Sequence, residues 1–382
     1  MKICGIICEY NPFHNGHQYL IEAAKRLSGV DAVVCVMSGN FVQRGQAAIA
    51  EKRLRAKHAV LGGADSVLEL PTPFATANAE LFAKGGVKIL TALKGLTHIA
   101  FGVESATEED LWTAARLMND EPAEISAKIK ELSAQGLSYA KARAEAWKEK
   151  LPNGLLSSPN NILAVEYARA LLAIGANVWL LPVLRIGSGY LEETLNGEFS
   201  SATAIRNALK QGNCAQNALP EFIDGNNFFD CESSLNTVKN YAVLNKPAPL
   251  IAQTADCTEG LENGLKKAVL AGVHDVASAL TSARYTRSRI SRILLQNALN
   301  ITKADVDEYL RSPLYLRLLC AKKESREVLS ALGNADFPLI ARGRDAAGLD
   351  GAAKKCYEKD IFAERLYSLL TGNTPDDNTP FV

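Results

Sequence analysis

The sequence predicts an α/β fold in which a parallel sheet is followed by a mostly helical region. Four short apolar or β-branched runs are predicted strands: 3–8, 31–37, 65–70 and 97–103. Helical patterns lie between them: 15–27, 51–62 and 79–94. Alternation of strands and helices at this spacing is typical of right-handed β–α–β crossovers, which produce parallel sheets.

Beyond the fourth strand the helical patterns become longer. Residues 107–150 are charged, Ala-rich and periodic, so we expect helices there. The elements expected next are a helix at about 161–173, a strand at 179–184, a Gly-rich loop at 185–190 and a helical stretch at 205–210. The later predicted helices are 261–271, 273–282, 287–299 and 303–310, and residues 337–341 are compatible with a short strand.

We expect two domains, because 382 residues is long for a single one. The first spans residues 1–215 and contains the alternating strands and helices, with a helical insertion at about 107–160. The second spans residues 216–382 and is mainly helical. Its polar tail after Thr371 is expected to fray.

The composition is that of an ordinary soluble protein, with 47% hydrophobic and 22% charged residues. We find neither an 18-residue apolar run nor a signal peptide, so we expect a cytoplasmic protein without a membrane partner.

The eight cysteines lack Cys-x-x-Cys and zinc-finger spacing, which favours reduced thiols and no metal site. A net charge of zero argues against nonspecific coating of nucleic acid, and we expect no DNA partner.

The most informative motif is His14-Asn15-Gly16-His17, where the first strand passes into the first helix. A helix start presents unpaired N–H groups and the positive end of the helix dipole, so it attracts phosphate. Gly16 allows a ligand to approach the backbone closely. The two imidazoles add donors for charge that builds on a phosphoryl oxygen. The motif therefore predicts a nucleotide-phosphate site, although two histidines at this position can also simply cap the helix.

A second motif, Ser201 to Arg206, has the pattern Ser-x-Thr-x-Ile-Arg at the start of a later helical stretch. Its two hydroxyls and a guanidinium suit a second group of phosphate oxygens. Neither a Gly-x-Gly-x-x-Gly motif after the first strand nor a Walker A lysine is present, so dinucleotide and P-loop sites lack their key residues. Open α/β sheets bind ligands beyond the carboxyl ends of their strands, so the two motifs are expected to converge there.

The two motifs together resemble the His-x-Gly-His nucleotidyltransferase superfamily, whose fold is a Rossmann-like parallel sheet. Further stretches are similar to the bacterial tRNA(Met) cytidine acetate ligases: 8–17, 37–45, 68–71, 101–102, 158–163 and 259–263. This resemblance implies an ATP-dependent ligase whose substrates are acetate, ATP and elongator tRNA(Met). Acetate would attack the α-phosphate to give acetyl-adenylate and pyrophosphate, and N4 of the wobble cytidine would then take the acetyl group, giving N4-acetylcytidine.

The resemblance and the motifs together assign the site residues. His14, His17 and Arg206 are the predicted catalytic residues. The predicted ATP contacts are Ile7, Cys8, Glu9, Tyr10, Asn11, Pro12, Phe13, His14, Asn15, Gly16, His17, Gln18, Tyr19, Leu20, Gly102, Asn160, Asn161, Arg185, Ile186, Ser201 and Thr203. Magnesium is expected as the counter-ion of ATP, with no readable protein ligand and no tightly bound cofactor.

Two basic clusters are candidate tRNA contacts, and either can equally be an ordinary solvated face. The first contains Lys52, Arg53, Arg55 and Lys57, and the second contains Arg284, Arg287, Arg289 and Arg292. Two alternatives to the ligase stay open from the residues alone. One is an enzyme that adenylylates a small phosphate or carboxylate, and the other is a noncatalytic RNA-binding module.

Overall fold

The computed structural model describes residues 1–152, 154–186, 194–195, 197–224, 228–374 and 382. Its strands are β1 Ile3–Cys8, β2 Ala32–Ser38, β3 Phe41–Val42, β4 Gln46–Ala47, β5 Ser66–Leu70, β6 Leu96–Val103, β7 Trp179–Leu184, β8 Leu316–Ala321 and β9 Leu339–Ile340.

Helices cover both faces of the sheet. They are α1 Asn15–Ser28, α2 Lys52–Leu61, α3 Thr72–Ala75, α4 Ala79–Thr91, α5 Glu108–Asn119, α6 Ala123–Ala134, α7 Tyr139–Trp147, α8 Pro159–Ile174, α9 Ala202–Lys210, α10 Glu232–Asn245, α11 Ala248–Ile251, α12 Leu261–Leu270, α13 Val276–Ala279, α14 Arg287–Ala298, α15 Lys303–Arg311, α16 Arg326–Gly333 and α17 Gly351–Thr371.

The described strands form one main sheet in the order β7-β6-β1-β2-β5-β8-β9, with β3 and β4 as a separate hairpin. The first five of these pair in parallel, as the sequence predicts. β2 is buried along its whole length because helices cover both faces, which explains its unbroken apolar sequence. Gly5 in β1 permits this packing, since a Cβ there would lie 2.5 Å from a methyl of Leu90 on α4.

The later part of the chain contributes more to the sheet than its helical pattern indicates. β8 pairs antiparallel with β5, and β9 pairs in parallel with β8. The sheet therefore continues past residue 215, while the domain boundary there stays a prediction. The sequence pattern does not predict β8, α10, α16 or α17, and the helix predicted at 273–282 is only Val276–Ala279. The Gly-rich loop beyond 186 and residues 375–381 of the tail lie outside the described residues.

A buried ionic cluster joins the two parts of the chain. Lys52 Nζ lies 2.9 Å from Glu69 Oε1 on β5 and 3.1 Å from Glu364 Oε2 on α17. Arg53 contacts Glu364 at 2.5 Å, and Arg317 on β8 contacts both carboxylates. The prediction that Lys52 and Arg53 bind RNA is therefore wrong, because both cations are buried against carboxylates.

Arg55 is also buried, and the prediction that it binds RNA is wrong for a different reason. Its guanidinium donates hydrogen bonds to the backbone carbonyls of Glu9, Ser38, Gly39 and Ala50. These carbonyls follow β1 and β2 or precede α2, so one side chain ties together the chain segments that leave the sheet. Lys57 is the member of this cluster that is exposed to solvent.

The ionic cluster makes a stability prediction. Replacing Glu364 with Gln removes the carboxylate that Lys52, Arg53 and Arg317 share in the interior, so we expect the free energy of unfolding in urea to fall by about 3–5 kcal/mol. The matched control is Glu308→Gln, which breaks an exposed ion pair with Lys355 and should cost less than about 1 kcal/mol. Equal losses in the two variants would contradict the role assigned to Glu364.

Candidate active site

One cavity opens at the carboxyl ends of β1, β6 and β7 and collects most of the residues predicted to bind ATP. Both sequence motifs reach it although they are nearly 200 residues apart in the chain. The predicted residues that line it are Ile7, Cys8, Glu9, Tyr10, Asn11, His14, Gly16, His17, Tyr19, Leu20, Gly102, Asn160, Arg185, Ile186, Ser201, Thr203 and Arg206.

The histidine pair is both the cap of α1 and a part of the cavity wall. His14 Nδ1 accepts a hydrogen bond from the backbone N–H of Gly16 at 3.1 Å, and His17 Nδ1 accepts one from the backbone N–H of His14 at 3.3 Å. The two rings stack with their centres 3.6 Å apart. Because each Nδ1 accepts, the neutral form of each ring carries its proton on Nε2. Each imidazole therefore has one N–H donor left for a ligand.

The environment keeps both imidazoles uncharged. Burial, with Arg185 and Arg206 nearby, lowers the pKa of His14 to about 3. Burial, followed by His14 and Arg185, holds the pKa of His17 well below its usual value. Gly16 is needed for this arrangement, because a Cβ at that position would lie 3.0 Å from His14 Cε1.

The second motif begins α9 and is joined to the first. Ser201 Oγ caps the helix by accepting a hydrogen bond from the backbone N–H of Ala204. Arg206 donates to the backbone carbonyl of Asn11 at 2.7 Å and to Thr203 Oγ1 at 3.1 Å. The guanidinium thus lies beside the loop that precedes the histidines, and the first turn of α9 faces the same cavity.

The strand ends on the other side of β1 form the remaining wall. Gly102 on β6 lies under the Arg185 side chain, and a Cβ at Gly102 would lie 3.3 Å from Arg185 Cγ. Glu104 accepts hydrogen bonds from Ser158 Oγ and from Asn160 Nδ2, at 2.5 and 2.6 Å. This carboxylate fixes the start of α8 and holds Asn160 at the cavity.

Five residues predicted as ATP contacts are not among those that line the cavity: Pro12, Phe13, Asn15, Gln18 and Asn161. Phe13 is buried in the core against Tyr10. Asn15 donates to the carbonyls of Glu198 and Asn217, and Asn161 accepts from the backbone N–H of Glu104. The side chains of Phe13, Asn15 and Asn161 thus support the wall from behind, whereas Gln18 donates a hydrogen bond to Glu22 on α1.

Sequence reasoning missed the β3–β4 hairpin as part of the cavity. Val42, Gln43, Arg44 and Gln46 line it beside Phe82, Phe101 and Tyr167. The available signal is a polar turn, Gln43 to Gly45, between two very short strands, within a stretch already noted for its family resemblance. Within the described residues, no group of three or more His, Cys, Asp or Glu side chains is arranged to hold a metal ion.

Comparison with known proteins identifies the family. A model of the HIGH nucleotidyl transferase family matches residues 1–379. The tRNA(Met) cytidine acetate ligase of Acetivibrio thermocellus is 36% identical over 98% of this chain and 96% of its own. The tRNA(Met) cytidine acetate ligase of Thermoanaerobacter sp. strain X514 is 36% identical over 100% of this chain and 98% of its own. The chain belongs to the tRNA(Met) cytidine acetate ligase family.

Solved structures of family members agree with this fold. Apo TmcAL of Thermotoga maritima superposes with a TM-score of 0.90 at 30% identity, and the same protein bound with alpha-thio ATP gives 0.88 at 29%. Both matches cover the whole of each chain. The predicted nucleotidyltransferase fold and family are thereby confirmed, and the alternative of a small-molecule nucleotidyltransferase is not favoured.

In this member of the ligase family the second basic cluster is closely tied to acidic groups. Arg284 pairs with Glu259, and Arg287 pairs with Glu232 and Asp275. The ring of Tyr285 lies between Arg284 and Arg289, whose guanidinium carbons are 5.7 and 5.3 Å from its centre. Arg292 pairs with Asp256, and its side chain is only 15% exposed, which favours a structural role.

The low pKa of the histidine pair can be tested by NMR in the free protein. We expect the imidazole signals of His14 and His17 to stay constant between pH 8 and 5, because both rings remain neutral on their Nε2–H tautomer. A histidine-containing reference peptide titrates near pH 6.5 in the same buffer. A midpoint near 6.5 for either ring would show that burial does not control its charge.

Proposed function

We propose that this protein is a tRNA(Met) cytidine acetate ligase that makes N4-acetylcytidine at the wobble position of elongator tRNA(Met). The observation that carries the proposal is the pair of neutral histidines at the start of α1, in one cavity with the α9 motif. Family membership over the full chain supplies the substrates. The TmcAL bound with alpha-thio ATP supports a nucleotide in the corresponding fold.

In the first step a carboxylate oxygen of acetate attacks the α-phosphorus of ATP, and the bond to the β-phosphate bridging oxygen breaks. The products are acetyl-adenylate and pyrophosphate. In this proposal the Nε2–H groups of His14 and His17 donate to phosphate oxygens, where negative charge increases in the transition state. Arg206, Thr203 and the N–H groups at the start of α9 hold the pyrophosphate side.

The adenosine lies toward β6 and β7 in this proposal. Gly102, Asn160 and Arg185 with Ile186 form that wall, and Gly102 leaves room for the ligand and for the stem of Arg185. Magnesium would accompany ATP as its counter-ion and would neutralise part of the phosphate charge. The protein itself contributes orientation and charge stabilisation.

In the second step N4 of the cytidine attacks the acetyl carbonyl, the bond to the phosphate oxygen breaks, AMP leaves and N4 loses a proton. The base must leave the anticodon-loop stack, and the cost is lowered because loop bases are already partly unstacked.

Among the described residues no helix has the length and apolar character needed to cross a bilayer. We propose the cytoplasm, where tRNA is modified, as the site of action.

The role of the histidines is tested by comparing His14→Asn with His14→Ala. Asparagine keeps a side-chain oxygen that can cap the helix, but it lacks the Nε2–H donor of the imidazole ring. We expect both variants to lose about 100- to 1,000-fold in acetate-dependent ATP–pyrophosphate exchange, as for loss of an oxyanion donor. The free energy of unfolding should fall only in His14→Ala, by about 1 kcal/mol.

Exchange near the wild-type rate in His14→Asn would mean that the ring only caps the helix. ATP binding that survives loss of both histidines, together with no exchange in the wild type, would instead revive a noncatalytic RNA-binding module. Adding bulk tRNA to the wild-type reaction separates that outcome from an enzyme in which tRNA must bind before acetate is activated.

The tRNA surface is tested with the double variant Arg284→Glu/Arg289→Glu, which reverses the charge on both sides of Tyr285. We expect tRNA binding to weaken at least 10-fold at low salt, with a smaller salt dependence, because phosphate contacts are lost. ATP–pyrophosphate exchange without tRNA should be unchanged. An equal fall in exchange would show that this cluster is structural.

A further inference from the structure

The β3–β4 hairpin enters the cavity from the side that the proposed ATP contacts leave unassigned. It follows β2, and β1 separates β2 from β6 and β7 in the sheet. The histidine pair follows β1 and therefore lies between the hairpin and the wall formed by Gly102 and Arg185. Gln43 and Arg44 line the cavity from the hairpin.

The hairpin is held rigidly from behind by the helical region. The carbonyl of Gly45 accepts hydrogen bonds from Lys239 Nζ at 2.7 Å and from Ser291 Oγ at 2.8 Å. Gly45 has φ +72°, and a Cβ there would lie 2.4 Å from the carbonyl carbon of Ser291. On the cavity side, the backbone N–H of Gln43 donates to Glu9 Oε1 at 2.7 Å. Anchors on both sides fix the position of the turn, as a binding site requires.

The chemistry of the first step calls for a cation beside the attacking carboxylate. An in-line displacement places the attacking carboxylate opposite the leaving pyrophosphate, which α9 and Arg206 hold in the proposed function. A carboxylate that approaches a triphosphate is repelled unless a positive group accompanies it. Guanidinium is the side chain best matched to a carboxylate, and Arg44 lies on the hairpin.

Gln43 offers a second donor at the same place. Its Nε2 is buried and makes no hydrogen bond within the described residues. Unmet buried donors are rare in folded proteins and are expected to find a partner. Gln43 lines the cavity, so a ligand there is a candidate partner for this amide.

We propose that the hairpin is the carboxylate subsite, where Arg44 and Gln43 bind one oxygen of a small carboxylic acid and leave the other oxygen to attack the α-phosphorus. The inference rests on the proposed function and identifies the residues that hold its acid substrate. The unbound carboxylate oxygen is the nucleophile. It forms the bond to the α-phosphorus as the bond to pyrophosphate breaks.

The experiment measures KM for acetate and for ATP in pyrophosphate exchange, in Arg44→Ala, Gln43→Ala and Arg44→Lys. We expect KM for acetate to rise about 10- to 100-fold in Arg44→Ala and about 10-fold in Gln43→Ala, with KM for ATP within twofold of wild type. Arg44→Lys keeps the charge and should be intermediate. The matched control is Arg365→Ala, an exposed cation on α17, which should change neither constant.

A parallel rise in KM for ATP would overturn the proposal, because it would place Arg44 on the nucleotide. A rise confined to KM for tRNA in the full reaction would also overturn it, by assigning the hairpin to RNA. Failure of the proposed function looks different, since the wild type would then form no N4-acetylcytidine from acetate and tRNA. Thermal unfolding of each variant, compared with Arg365→Ala, shows whether a loss comes from misfolding.

Discussion

The arrangement of the cavity depends on the buried guanidinium of Arg55. Parallel strands end in loops whose carbonyls have no partner in the sheet, and a buried carbonyl without a hydrogen bond is costly. Arg55 satisfies three such carbonyls, at Glu9, Ser38 and Gly39, and also the carbonyl of Ala50 before α2. The segment from Glu9 to His14 and the β3–β4 hairpin both leave the sheet next to this side chain. A single long donor group from α2 thereby helps to position both the segment that leads to His14 and the hairpin.

The two histidines use one ring nitrogen for a structural role and leave the other for the chemical role that we propose. Each Nδ1 takes part in the capping of α1, which orients the ring and fixes its tautomer. Each Nε2–H is then the donor that remains, and burial keeps the rings neutral. A neutral donor in a site with Arg185 and Arg206 avoids further crowding of positive charge while the nucleotide is absent. When a triphosphate binds, its own charge is expected to raise both pKa values.

Much of the fold and part of the site are predictable from the sequence, for physical reasons that particular elements illustrate. β1, β2, β5 and β6 are short, mostly apolar or β-branched runs that alternate with helical patterns, so their order in the chain implies the parallel sheet. β8 is equally buried and follows a turn signal at Ser312-Pro313, but its sequence, Leu316 to Ala321, contains none of the β-branched residues that are typical of strands. α17 buries Asp360 and Glu364 on its inner face, which destroys the amphipathic pattern that would identify it.

The local sequence predicts least well whether a charged side chain is buried or exposed, because lysine and arginine occur both in buried ion pairs and on solvated surfaces. Lys52, Arg53 and Arg55 have the spacing of a basic helix face, yet each is buried with a carboxylate or carbonyl as its partner. Whether a cation lies inside depends on acidic residues as distant in the chain as Glu364, which local sequence does not reveal.

The pH dependence of stability follows from the same buried carboxylates. Burial alone would raise the pKa of Glu364, but Lys52, Arg317 and Arg53 hold it far below its usual range. Its contribution to stability is therefore present above the unfolded pKa, about 4.3, and is lost as the pH falls through the folded value. The contribution of Asp360 to stability depends on pH with the opposite sign, since burial, followed by the charge of Glu69, raises its pKa to about 6. Ionising Asp360 costs stability as the pH rises from about 4 to 6, whereas Glu364 adds stability only up to about pH 4, so together these two carboxylates favour maximum stability near pH 4.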